Sequence, residues 1–165
     1  MKESIQKLIG SLRHELEQYG EMLARLDHQQ ETVLRRDSAA VLDGAAAIEN
    51  QASVIETARS RREAARAELA VQCGLASDSA FAEILPCLPG EYRPLIQALV
   101  DENNQLLDRV RNRSRQNHLL LTRTVDLMQR LLGNLFSVKA APTYGGDGAL
   151  LVAGAPARSL YEAVG

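Results

Sequence analysis

The sequence predicts an all-α protein: long antiparallel helices forming a coiled-coil-like three-helix bundle, followed by a flexible C-terminal tail. Three observations carry this. Trp is absent and Tyr and Phe total only six, while Ala, Leu, Arg, Glu and Gln dominate; these are side chains that lose little rotamer freedom in a helix. Apolar residues recur at alternating spacings of four and three over long stretches. After Phe136 that period stops and a Gly-, Ala- and Pro-rich segment takes over.

In the first helix, expected from about Lys2 to Arg36, the row Ile5, Ile9, Leu12, Leu16, Tyr19, Leu23, Leu26, Gln30 and Val33 forms a heptad seam, and heptads sustained this long imply a partner helix. Asp37 or Ser38 can cap the next helix by accepting a backbone N–H. Val41, Ala45, Ile48, Ala52 and Ile55 continue the spacing; beyond Ile55 it lands on Arg59 and Arg62, so the reading places a shift of stripe to Ala58, Ala65 and Leu69, with a local change of supercoil. Gly74 follows as a left-handed cap. The connection at Asp37 is short, which makes the first two helices an antiparallel hairpin.

A short helix through Ala80, Phe81, Ile84 and Leu85, capped by Ser77 or Asp78 and stopped by Pro86, reads as a connector packed over one end of the hairpin. The third long helix is expected from about Glu91 to Phe136, with Pro94 tolerated in its first turn. At ~1.5 Å per residue it would span about 70 Å, so part of it overhangs the hairpin or packs on a second copy in a homo-oligomer. Its seam, Ile96, Leu99, Asn103, Leu106, Val110, Arg113, Asn117, Leu120, Thr124, Leu127, Leu131 and Leu135, includes polar members, which cost stability and fix register. The domain plan is therefore a helical domain over 1–137 and a flexible tail over 138–165 that still carries Leu150, Leu151, Val152, Leu160, Tyr161 and Val164, a composition suited to folding on binding.

Function classes narrow in the same way. A net charge of −2 gives no overall drive toward nucleic acid or anionic membrane. Arg109, Arg111, Arg113 and Arg115 spread around the helix, because residues two apart point about 200° from one another. The N-terminal stretch lacks an uninterrupted apolar run of the kind secretion requires, and no stretch approaches the ~20 apolar residues that span a bilayer. Cys73 and Cys87 are the only cysteines and read as reduced thiols, in keeping with a cytoplasmic location. His14, His28 and His118 fall on separate positions without a metal-ligand cluster, and the GGDG after Tyr144 lacks the strand and the Lys-Ser or Lys-Thr of a phosphate loop. No cofactor, metal or catalytic site is expected; a protein partner is.

The stretch Glu102-Asn103-Asn104-Gln105-Leu106-Leu107, then Asn117 followed by Leu119-Leu120-Leu121, then Pro142-Thr143-Tyr144-Gly145-Gly146-Asp147-Gly148, resembles the long last helix and Tyr-Gly-x-x-Gly tail motif of the FlgN family of flagellar type III export chaperones. The resemblance implies a non-enzymatic chaperone that keeps the hook–filament junction proteins FlgK and FlgL unassembled and brings them to the export gate. It further implies that the end of the third helix and the tail embrace the client, with Leu120, Leu127, Leu131, Leu135, Leu150 and Leu151 as the client-binding residues. Tyr144, with Gly145 and Gly148, would dock on the gate protein FlhA. The tail beyond Gly148 is more apolar than the family pattern, and the connector with Pro86 and Pro89 has no clear counterpart in it. The alternatives are a general cytosolic coiled-coil adaptor and an Arg-rich helical regulator of nucleic acid.

Overall fold

The computed structural model describes residues 1–137. Within them, α1 spans Lys2–Arg35, α2 Ser38–Gln72, α3 Phe81–Ile84 and α4 Arg93–Ser137, with a single 3-10 turn at Leu85–Cys87. Tyr144, Gly145, Gly148, Leu150 and Leu151 lie outside the described residues, as does the whole expected tail. The chain divides into two compact units, Met1–Arg123 and Thr124–Gly165.

In the first unit, α1 and α2 form the expected antiparallel hairpin: Lys7 pairs with Glu68 at 2.6 Å, Glu15 with Arg62 at 2.7 Å, and Gln51 donates to the Gln18 carbonyl at 3.1 Å. The turn is two residues, Arg36 and Asp37. Arg36 takes the left-handed conformation (φ 59°) and Asp37 caps α2, its carboxylate accepting from the Ala40 N–H at 3.0 Å. The connector returns the chain to the end of the hairpin where it began, so the first unit's part of α4 runs antiparallel to α2 and parallel to α1. Asn103 donates to the Leu12 carbonyl and Asn117 to the Leu26 carbonyl, fourteen residues apart on both helices, which is two heptads of register.

The hydrophobic core occupies that same end. Ile5, Leu8, Ile9 and Leu12 of α1 pack with Ala65, Leu69 and Ala70 of α2, Ile84 and Leu88 of the connector, and Ile96 and Leu99 of α4. The connector thus covers the hairpin end as its apolar residues require. Its cap differs from the expectation: α3 begins after Ala80, whose N–H is held by the Glu83 carboxylate at 3.0 Å, rather than at Ser77 or Asp78.

The expected shift of stripe in α2 does not occur. The residues facing inward, Val41, Gly44, Ile48, Gln51, Ile55, Ala58, Arg62, Ala65 and Leu69, keep one unbroken heptad spacing, while Ala45 and Ala52 are exposed. Arg62 belongs to the seam because Glu15 opposite neutralises it, which a hydrophobicity pattern cannot register. α1 likewise buries a second row, Leu8, Glu15, Met22 and Gln29, since it is covered from two sides.

Candidate functional site

Two places in the described residues could carry function: a polar cavity inside the first unit and an exposed apolar face on the second. The cavity, about 160 Å³, is bounded by Glu15, Tyr19, Arg59, Arg62, Asn103 and the apolar edges of Leu12, Phe81, Val100 and Leu107. Its centre is a buried carboxylate with both oxygens engaged. Tyr19 donates its hydroxyl to Glu15 Oε1 at 2.9 Å, and Arg62 Nε donates to Oε2 at 2.7 Å. Burial, then the hydrogen bond to Glu15 and its negative charge, push the Tyr19 hydroxyl up to about 12, so it stays a donor across physiological pH. Arg62 also reaches Glu63 at 2.8 Å; partial burial works against the Glu63 charge, but the hydrogen bond from Arg66 and the nearby Arg62 and Arg66 charges outweigh it and hold that carboxyl below its usual range. Every charge in the cluster is matched. The Arg62 bond to Glu15, braced by the Tyr19 bond to the other oxygen, ties α1 to α2 across the hairpin.

A similar economy governs the α1–α4 seam. Asn103 Nδ2 donates to the Leu12 and Leu99 carbonyls (3.0 and 2.8 Å); Asn117 Nδ2 donates to the Leu26 carbonyl and to Gln29 Oε1 (2.7 and 3.1 Å). The Oδ1 atoms of both asparagines are buried and accept no hydrogen bond among the described residues. Arg113 pairs with Asp27 at 2.7 Å. Such a seam fixes register at the expense of stability.

The second unit offers a different surface. Over its described part α4 continues as helix, and Leu127 and Leu131 stand 61% and 62% exposed, with Val125, Met128 and Leu132 each at least half exposed. At 100° per residue these five side chains cover an arc of about 160°, with Asp126, Gln129, Arg130 and Gly133 on the remainder. The five side chains thus form one contiguous apolar row along this part of the helix. Of the residues expected to bind a client, Leu127 and Leu131 lie in it. Leu120 belongs to the first unit and is half-buried. Leu135 is helical, but its side chain, like Leu150 and Leu151, is outside the described set. Sequence reasoning missed Val125, Met128 and Leu132. It followed one seam, whereas Leu121, Val125, Met128 and Leu132 form a second row with the same spacing beside it, readable as a widened apolar arc.

Among the described residues no group of three or more His, Cys, Asp or Glu is placed to hold a metal ion, and no helix is long and apolar enough to cross a membrane. The described residues make a helical bundle built on a register-locked hairpin, with an apolar row exposed on the last helix. Comparison with protein families gives the particular one: the chain matches the FlgN protein family over residues 1–151 and belongs to it. The family is one of flagellar export chaperones, which bind flagellar hook-associated proteins. Comparison with curated proteins and with solved structures returns no match.

Proposed function

We propose that this chain is a cytoplasmic chaperone that captures the junction proteins FlgK and FlgL through the apolar face of α4 and delivers them to the export gate protein FlhA through Tyr144. The observation that carries the first half is the exposed row Val125, Leu127, Met128, Leu131 and Leu132. Junction proteins assemble through terminal helices, and an amphipathic helix supplied in trans covers such a segment in the helix-against-helix mode of recognition. Leu135 at the end of α4, with Leu150 and Leu151 of the tail, extends the same apolar character. The gate role rests on the sequence motif Tyr144-Gly145-Gly146-Asp147-Gly148: a rigid ring with a polar tip, flanked by glycines that let backbone approach a groove.

Two variants test the halves separately. Leu131→Glu places a carboxylate where the client would exclude water, at a cost of several kcal/mol of binding. The fold should be untouched, because Leu131 is exposed. Retained capture of FlgK and FlgL by Leu131→Glu in titration calorimetry would refute the client face. Tyr144→Ala should weaken binding to the cytoplasmic domain of FlhA by a hot-spot contribution of ~2 kcal/mol while leaving client capture intact; equal loss in both assays would refute the division of roles.

A further inference from the structure

The contact between α1 and α4 in the first unit has two unlike halves. In the half nearest the connector, Ile96 and Leu99 are buried in one cluster with Ile5, Leu8, Ile9 and Leu12. Beyond Leu99 and up to Arg123, the buried residues of α4 are two asparagines, Asn103 and Asn117, while Leu106, Val110 and Leu120 are only half-buried. What joins this second half to α1 is polar. Asn103 donates to the Leu12 carbonyl, and Asn117 to the Leu26 carbonyl and to Gln29. Arg113, itself part-exposed, reaches Asp27 at 2.7 Å and Gln30 at 2.8 Å. Each asparagine also keeps its Oδ1 buried without a donor among the described residues.

The two halves therefore answer differently to water. Separating Ile96 and Leu99 from α1 exposes apolar surface and gains nothing in return. Separating the second half exchanges amide and charge bonds for bonds to water, and it hydrates two amide oxygens that the closed state leaves unpaired. The hairpin does not depend on that half, because α1 is tied to α2 through Glu15 with Arg62 and Gln18 with Gln51. We propose that residues 103–123 of α4 form a strap that lifts from α1 while Ile96 and Leu99 stay packed and the hairpin stays closed. A detached helical stretch of this length is marginal in water, so its backbone hydrogen bonds open when it lifts. Lifting also uncovers the α1 surface at Leu26 and Gln29, both buried in the closed state and both held by Asn117. The strap is thus a conformational device built into the seam, separate from the apolar row of the second unit.

The test is hydrogen–deuterium exchange on the full-length chain under native conditions, read peptide by peptide. Amides 107–123 should exchange at least about tenfold faster than amides 96–102 of the same helix. They should also outpace amides 16–32 of α1, which lie opposite them in the register set by the two asparagines. Equal rates along α4 would overturn the strap. Equally fast exchange over 16–32 would overturn it too, since the far end of the hairpin would then be fraying as a whole. Ile96→Val trims one buried methyl group from the anchored half. It should quicken exchange over 96–102 and leave 107–123 unchanged, because lifting the strap does not separate Ile96 from its neighbours; a matched rise in both would show that α4 leaves only with the whole unit. Gln29→Leu with Asn117→Leu replaces an amide pair by apolar groups and should slow exchange over 107–123 by about tenfold. Unchanged or faster exchange in that double variant would overturn the polar seam as the cause of opening.

Discussion

Removing the Glu15 carboxylate should be among the most damaging single changes to the first unit, and removing its partner at the same time should repair much of the damage. Glu15 is 2% exposed and accepts from both Tyr19 and Arg62. In Glu15→Ala the Arg62 guanidinium loses its shortest contact and the Tyr19 hydroxyl loses its acceptor. Breaking a fully buried pair from one side costs about 3–5 kcal/mol. Arg62 retains some solvent and the Glu63 carboxylate, which places Glu15→Ala near the lower end, at about 3 kcal/mol. Arg62→Ala should cost at least as much, because the carboxylate it abandons is the more deeply buried partner. In Glu15→Leu with Arg62→Met, both charges leave and apolar volume replaces them, so the double variant should fall within about 1 kcal/mol of the native chain. Urea denaturation of the native chain, the two single variants and the double variant closes a thermodynamic cycle. Additive single effects, with coupling below about 0.5 kcal/mol, would show that the pair is no energetic unit and that the register argument built on it fails.

Arg36 and Asp37 should respond in opposite directions: Arg36→Gly relieves a left-handed backbone and should stabilise by about 0.5–1 kcal/mol, while Asp37→Ala removes the α2 cap and should cost about 1 kcal/mol, both read from urea midpoints. Tyr19→Phe should change the alkaline limb of stability. Burial and the bond to Glu15 push the folded hydroxyl up to about 12, against an ordinary value of 10.0. Between those values the folded state therefore holds the proton more tightly; the contribution is whole below pH 10 and is lost as pH rises toward 12, on the order of 2 kcal/mol. A Phe variant with the same slope over that window would refute the assignment. Asn117→Ala should destabilise by about 1–2 kcal/mol, and retained thermal stability would show that its bonds to Leu26 and Gln29 contribute little.

What could be read from the sequence depended on whether a position is explained by its own helix. Ile5, Leu12, Leu26 and Val33 are apolar at regular spacing, and the structure buries them; Asp37 and Gly74 act through local backbone geometry and fell where expected. Gln51 and Arg62 broke the pattern because their reasons lie on another helix, in Gln18 and Glu15. A hydrophobicity template scores a neutralised arginine as a fault in the seam and so places a shift in α2 where the heptad runs straight through. The same limit applies to the apolar face: Leu127 and Leu131 continue the seam that begins at Ile96, whereas Val125, Met128 and Leu132 belong to the neighbouring row.

The placement of polar and apolar groups bears directly on how the helices of the first unit find one register. A long helix with apolar seams throughout could pair in several registers or with another copy. Here the first unit's part of α4 is tied to α1 through Asn117, whose acceptors Leu26 and Gln29 are both on α1, and through Asn103, which keeps the Leu99 carbonyl of its own helix but would lose the Leu12 carbonyl if the helix slid. Slippage is thus penalised by unsatisfied buried amides more than it would be by misaligned leucines. The apolar row on the described part of the second unit carries no such constraint and is open to solvent. Within the first unit the buried Ile96 and Leu99 anchor α4, and Asn103 and Asn117 index it against α1.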